Sequence, residues 1–239
     1  MSSAEGAFAF AVGHAACERA RMSPAMLALL MIGFALLAVG LVARLAARQS
    51  KLAADHVQCL AEALGLEFIN KPPVMGLFYP ESRARGQIRG RQVEIFPFAT
   101  GSGKSRVQWC GVSAAVAGGD GLTFHLRRQG FGTKVMELFG AREIQVGDAE
   151  FDADWFIQTN QPEFFAAALL PELRAKITTF VRELGVQARG MEFKLEAGIV
   201  RYAEMGGFTN GESCKRCQRA VGILCDLAEV AEVASEEKR

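Results

Sequence analysis

No sign of charge dominates this chain. Lys and Arg total 27 against 26 Asp and Glu in 239 residues, so no global field gathers nucleic acid or repels it, and partners must be argued from local groups. Cysteine is sparse. Cys17, Cys59, Cys110, Cys214, Cys217 and Cys225 do not form the evenly spread framework of a disulfide-stapled secreted domain, which favours a reducing compartment. Histidine is sparser still: His14, His56 and His125 are scattered and remote from the cysteines in sequence. No internal repeat is present.

The absence with the largest consequence is local. Met22 to Ala43 (MSPAMLALLMIGFALLAVGLVA) contains no charged residue, and as a helix it would span roughly 30 Å, the hydrocarbon thickness of a bilayer. A transmembrane helix over 22–45 is therefore expected. Arg44, Arg48 and Lys51 follow the run, whereas only Arg19 and Arg21 precede it, beside Glu18. That asymmetry puts the C-terminal part on the cytoplasmic side. A cleaved signal peptide fits less well, because the run exceeds the usual apolar region of about 7–15 residues and passes directly into RLAARQSKLAADH. A lipoprotein reading through Cys17 fails for want of an aliphatic residue three positions earlier. Residues 1–21 read as a disordered N-terminal segment, and Met22 is an alternative start.

Helical periodicity continues through Leu52, Val57, Leu60, Ala61 and Leu64 to Gly65, predicting a juxtamembrane amphipathic helix over 46–66. Asn70 to Tyr79, rich in Pro and Gly, reads as an irregular entry into a soluble domain over 67–234. Gln87 to Phe98 predicts a hairpin turning at Gly90, and further strands are expected at Arg106–Val116 and Leu122–Arg128. A short helix over Thr133–Phe139, an extended piece over Glu143–Val146 and a strand over Trp155–Thr159 follow. Asn160 is the expected cap of a helix with Pro162 in its first turn and Glu163 at capping-box spacing. A second helix opens at Pro171 and runs to Gly185. Strands at Val186–Leu195 and Ile199–Tyr202 precede a final helix from Glu212 to about Ala234 and a charged tail, 235–239. Strands precede helices rather than alternating strictly with them, so the fold class is α+β, with a mostly antiparallel sheet and packed helices.

Four motifs invite chemistry. Thr100–Ser105 (TGSGKS) ends like a phosphate-binding loop, but Phe98 stands where the first glycine belongs and a strand is expected where a helix should open. A polar loop between strands is the better reading. Cys214 and Cys217 form C-x-x-C, with Cys225 further on. The spacing suits a redox pair or half a metal site, with thiols acidified at a helix N-terminus; yet Cys214, Cys217, Val221, Leu224, Cys225 and Ala228 share one apolar face, where cysteine serves as a small hydrophobe. In Gly147–Asp154 (GDAEFDAD), acids at 148, 150, 152 and 154 would line one side of a strand and could gather a hard cation. The alternative has Asp148 capping a turn, Phe151 plugging the core and Asp152 holding local amides. Arg83, Arg85, Arg89 and Arg91 cluster on the hairpin as a candidate membrane-surface patch for anionic headgroups. Nucleic acid is not expected there, since aromatics are not interleaved with the arginines.

The stretch Leu60–Phe68, the G-x-I-x-G-R-x-V hairpin Gly86–Val93, and the segment carrying Gly147, Asp148, Phe151, Asp152, Phe156 and Ile157, followed by a PExxxxLL helix, resemble a group of uncharacterised bacterial single-pass membrane-anchored proteins. The resemblance covers most of 50–205 and implies the architecture and the bacterial setting without adding an activity or a cofactor. These readings lead to a membrane-anchored domain facing the cytoplasm and acting as a noncatalytic binding or scaffold module, with the lipid bilayer and a protein at the membrane as partners. The alternative is a thiol redox or metal-responsive protein using Cys214, Cys217 and Cys225. No set of residues converges on catalysis.

Overall fold

The apolar run is helical because it lacks any residue that would stop it, and the helix does not end with it. In the computed structural model, which describes residues 23–70, 81–118, 121–128, 143–184 and 190–236, helix α1 runs Pro24–Leu64. The chain divides into two units, Met1–Arg44 and Leu45–Arg239. In the first, α1 is apolar on every side and buries none of it, with Leu29, Phe34, Leu36 and Leu37 each more than two-thirds exposed. It is long and apolar enough to cross a membrane. In the second unit the same helix becomes one-sided, burying Val57, Leu60 and Ala61 before Gly65, at φ +67°, ends it.

The second unit is α+β, built on an antiparallel sheet. Its strands are β1 (Glu67–Ile69), β2 (Arg83–Ile88), β3 (Arg91–Thr100), β4 (Val107–Ala115), β5 (Phe124–Arg128), β6 (Trp155–Thr159), β7 (Glu192–Glu196) and β8 (Ile199–Met205). Their order is β1-β2-β3-β4-β8-β7-β5-β6, and every neighbouring pair is antiparallel. The expected β2–β3 hairpin closes on Arg89 and Gly90, at φ +50° and +74°, the double left-handed pair that matches strand twist. Ala197 and Gly198 repeat that turn between β7 and β8, at φ +51° and +70°.

Helix α2 (Ala149–Asp154) precedes β6, α3 (Pro162–Ala168) and α4 (Pro171–Leu184) lie between β6 and β7, and α5 (Gly211–Glu236) follows the last strand. Alternation puts Val93 and Ile95, Cys110 and Val112, Val200 and Tyr202, and Phe193 and Leu195 on one face. Against it α5 lays Cys217, Ala220, Val221, Leu224, Leu227, Ala228 and Ala231, all buried. Three of these are alanines, which let the long helix approach the sheet closely. From α4, Phe180 meets Tyr202 edge-on at 5.6 Å, and Phe193 lies 5.2 Å from the same Tyr202 ring. Each aromatic ring so buried contributes about 1.5–3 kcal/mol through apolar area alone.

Several expectations shift at their edges. Gln161, not Asn160, is the N-cap of α3; Asn160 instead accepts from the Thr123 amide at 2.8 Å and donates to the Gly121 carbonyl at 3.0 Å, tying the end of β6 to the approach of β5. Residues Glu143–Val146 join no strand, although the Ile144 amide donates to the Ile157 carbonyl. Strand β7 runs Glu192–Glu196 and β8 extends to Met205. The N-terminal segment 1–21, most of the Asn70–Tyr79 entry, the Thr133–Phe139 helix, residues 185–189 and the last three of the tail lie outside the described residues.

Candidate functional site

Helix α5 opens after Asn210, whose side-chain oxygen accepts from the Glu212 amide at 3.0 Å. Two cysteines of its first turns then face the sheet side. Cys217 is fully buried beside Cys110 of β4, and Cys214 is half-buried. Burial pushes the Cys214 thiol up to about 12, and Cys217 is raised by the neighbouring Cys110 and by burial. Cys225, two turns on, is also raised by burial. These directions oppose the acidification that a helix N-terminus would bring, because loss of water around sulfur outweighs the dipole. Among the described residues no three His, Cys, Asp or Glu side chains gather in a metal-holding arrangement.

The same turns carry a buried ion pair that no motif announced. Glu204 on β8 is only 2 % exposed. Its carboxylate accepts from Arg216 Nε at 2.7 Å and Nη2 at 2.9 Å, and from the Tyr202 hydroxyl at 2.6 Å. Arg216 also donates to Ser213 Oγ at 2.8 Å. Burial and the neighbouring carboxylate raise Tyr202 well above the usual phenol range, keeping it a proton donor to Glu204. Glu204 is opposite Cys110 in the β4–β8 register, so thiols and ion pair together fasten the start of α5 to the sheet. A Glu in step with the inward-facing Val200 and Tyr202 of its strand, with an Arg beyond the next turn, was the available signal.

The acidic segment is a helix rather than a strand, and its carboxylates diverge. Asp148 caps α2 by accepting from the Phe151 amide at 3.2 Å and pairs with Arg174. Asp152 accepts from the Val146 and Gly147 amides at 2.9 and 3.1 Å. Glu150 pairs with Arg182, and Asp154 with Arg128. Phe151 fills the core. The Gly/Ser loop is a single 3-10 turn, Gly103–Ser105, joining β3 directly to β4, with Ser105 Oγ donating to the Ser102 carbonyl at 2.8 Å. No helix opens there to receive a phosphate.

The four hairpin arginines do not form one patch. Arg89 pairs with Asp226, and Arg91 with Glu232 and Glu229, all on α5. Arg83 and Arg85 emerge on the opposite, open face, where Arg83 pairs with Glu94 at 3.0 Å and lies over Phe96. That face is aromatic as well as basic. Phe98 stacks on Trp109 at 5.9 Å with the rings 9° from parallel, and Arg201 lies over both Phe96 and Phe98. At Gly111 a Cβ would stand 3.1 Å from each phenylalanine ring, so glycine makes room for them. Aromatics are therefore interleaved with arginines after all; the strand pairing brings together what the hairpin's linear order kept apart.

No family model and no curated protein matches this chain. Among solved structures it is similar to the crystal structure of the mycobacterial trehalose monomycolate transport factor A, TtfA, at 13 % identity and a TM-score of 0.44, over 74 % of this chain and 93 % of that one.

A separate groove of about 600 Å³ lies between α4 and α5. Leu170, Leu173, Val230 and Val233 make its apolar floor, and Glu172, Lys176, Asp226 and Glu229 its rim. Lys176 and Arg89 both reach Asp226 there. Of the residues singled out in the sequence, then, Cys214 and Cys217 meet each other and Cys110, Cys225 lies two turns away, and the arginines separate two and two.

Proposed function

We propose that the chain is a single-pass, membrane-anchored binding or scaffold module of a bacterial inner membrane, noncatalytic, with its α+β body in the cytoplasm. The observation that carries this reading is α1, whose apolar side chains between Ala25 and Arg44 pack against none of the described residues. Lipid is the medium that would solvate them. The cytoplasmic side is supported by Arg44, Arg48 and Lys51 following the run. A binding role is supported by the way the polar groups of the body are committed to one another: Glu204 to Arg216 and Tyr202, Asp148 and Asp152 to caps, His125 to Glu192 at 2.8 Å.

Membrane fractionation followed by alkaline carbonate extraction tests the anchor: the chain should stay with the bilayer, and its release would refute the reading. Protease added to spheroplasts should leave the body intact. Crosslinking in native membranes should then recover a specific protein partner, whereas robust hydrolytic turnover by the purified chain would overturn the noncatalytic part. The thiol alternative has one observation in its favour, the Cys110–Cys217 contact. It requires rapid alkylation of Cys214 in the folded chain; slow alkylation would sink it.

A further inference from the structure

The geometry points to a second membrane contact in this protein, separate from α1: the β3–β4 end of the sheet, where Lys104 and Arg106 meet anionic phospholipid headgroups and Trp109 enters the interface beside them. This rests on the anchored reading above.

Three observations carry it. First, the loop after Thr100 is exposed and carries Lys104 and Arg106, neither of which forms an ion pair among the described residues. In a molecule where Arg83, Arg89, Arg91, Arg128, Arg174, Arg182 and Arg216 all have carboxylate partners, two adjacent unpartnered cations leave a charge that an anionic surface would complement. Secondly, apolar groups suited to an interface sit at the same end. Trp109 stacks on Phe98, its opposite residue in the register, and its indole N–H is held by Thr100 Oγ1 at 2.8 Å. Met205, opposite Trp109 on β8, is 52 % exposed. A tryptophan with a satisfied N–H beside basic residues is the composition of a headgroup-level belt.

Thirdly, few residues of chain link this end to the apolar run. Ala46 and Gln49 share a cavity with Pro97, Gln108 and Gly206, the flanks of β3, β4 and β8. Ala46 follows Ala43, the last residue of the charge-free run, by three positions, a tether of at most about 11 Å. A surface so tethered samples the bilayer at high effective concentration, so modest charge attraction suffices. The guanidiniums of Arg83 and Arg201 already lie over the Phe96 and Phe98 rings. Bases would have to displace them to stack, which favours a lipid surface over single-stranded nucleic acid.

The test uses the full chain in nanodiscs of phosphatidylcholine, with and without phosphatidylglycerol, brominated near the headgroup end of the acyl chains. Trp109 is the reporter; Trp155 is fully buried and gives a constant background. Quenching of Trp109 should be stronger with phosphatidylglycerol and should fall as salt is raised. Lys104→Gln with Arg106→Gln should lower the ratio of contacting to free molecules on the order of 30-fold, about fivefold for each cation. Arg182→Gln, remote on α4, should leave the ratio unchanged. Equal quenching in both lipids, or quenching that survives the double substitution, overturns the proposal. So does quenching of Trp109 by a uridine oligonucleotide in the absence of any response to lipid charge. A chain that never enters the discs refutes the anchor and the contact together, and gel filtration reveals that before any fluorescence is read.

Discussion

The two faces of the sheet hold arginine in opposite ways. Under α5, half-buried Arg216 holds buried Glu204 in a bidentate pair completed by a tyrosine hydroxyl. On the open face, Arg83 and Arg201 lie over aromatic rings with water at hand. A charge enclosed by protein must find every partner within it, because the cost of an unpaired buried ion runs to several kcal/mol. A charge at the surface keeps its hydration and remains available to something outside the molecule. The covered face therefore reads as structure, and the open face as the place to look for a ligand.

That contrast is easiest to break at Arg216. Replacing it with Met strands the Glu204 carboxylate and should cost about 3–5 kcal/mol, read as a lowered midpoint in denaturant titrations of the detergent-solubilised chain. Adding Glu204→Leu should restore most of the loss. If the single substitution is silent, the pair is not what fastens α5. Gly111→Ala pushes a methyl group against Phe96 and Phe98 and should destabilise by about 1–3 kcal/mol, with a change in Trp109 emission as the stacked ring shifts. Arg201→Ala, on the same open face, should cost only about 0.5–1 kcal/mol. An effect as large as that of Arg216→Met would erase the distinction between the faces.

The smallest effect concerns pH. Glu192 is held below the usual carboxylate range, chiefly by its hydrogen bond with His125 and then by nearby cations. A carboxyl whose pKa is depressed on folding contributes stability that is present above its unfolded value of about 4.3 and is lost as pH falls through the folded value. Thermal melts of wild type and Glu192→Gln should therefore differ at neutral pH and converge in acid. A gap that is constant with pH would assign the stabilisation to something other than charge.

Much of this was legible in linear order where the governing interaction is local. Asp148, Phe151 and Asp152 take the cap, core and backbone-binding roles that the turn chemistry of GDAEFDAD implies. Helix α4 follows the period of Leu173, Ile177 and Phe180. The cysteines of α5 lie on the apolar face that helical spacing assigns them. Asn160 misled because its side chain had a better partner across the sheet, at Thr123, than in the helix it precedes. The arginine patch misled because a two-residue turn sets the register: Ile88 faces Arg91 and Arg85 faces Glu94, so Arg91 falls on the opposite face from Arg83 and Arg85.

Order along the chain thus determined the long apolar helix, the strands and helices, and which positions are apolar, since these depend on hydropathy and on neighbours within a few residues. Tertiary structure alone decided that Cys110 would meet Cys217, that Glu204 would be enclosed by Arg216, and that Phe98, Trp109 and Arg201 would share one open face. Each of those results from strand register and from a helix laid across the sheet. Such contacts join residues far apart in sequence, and only packing selects them.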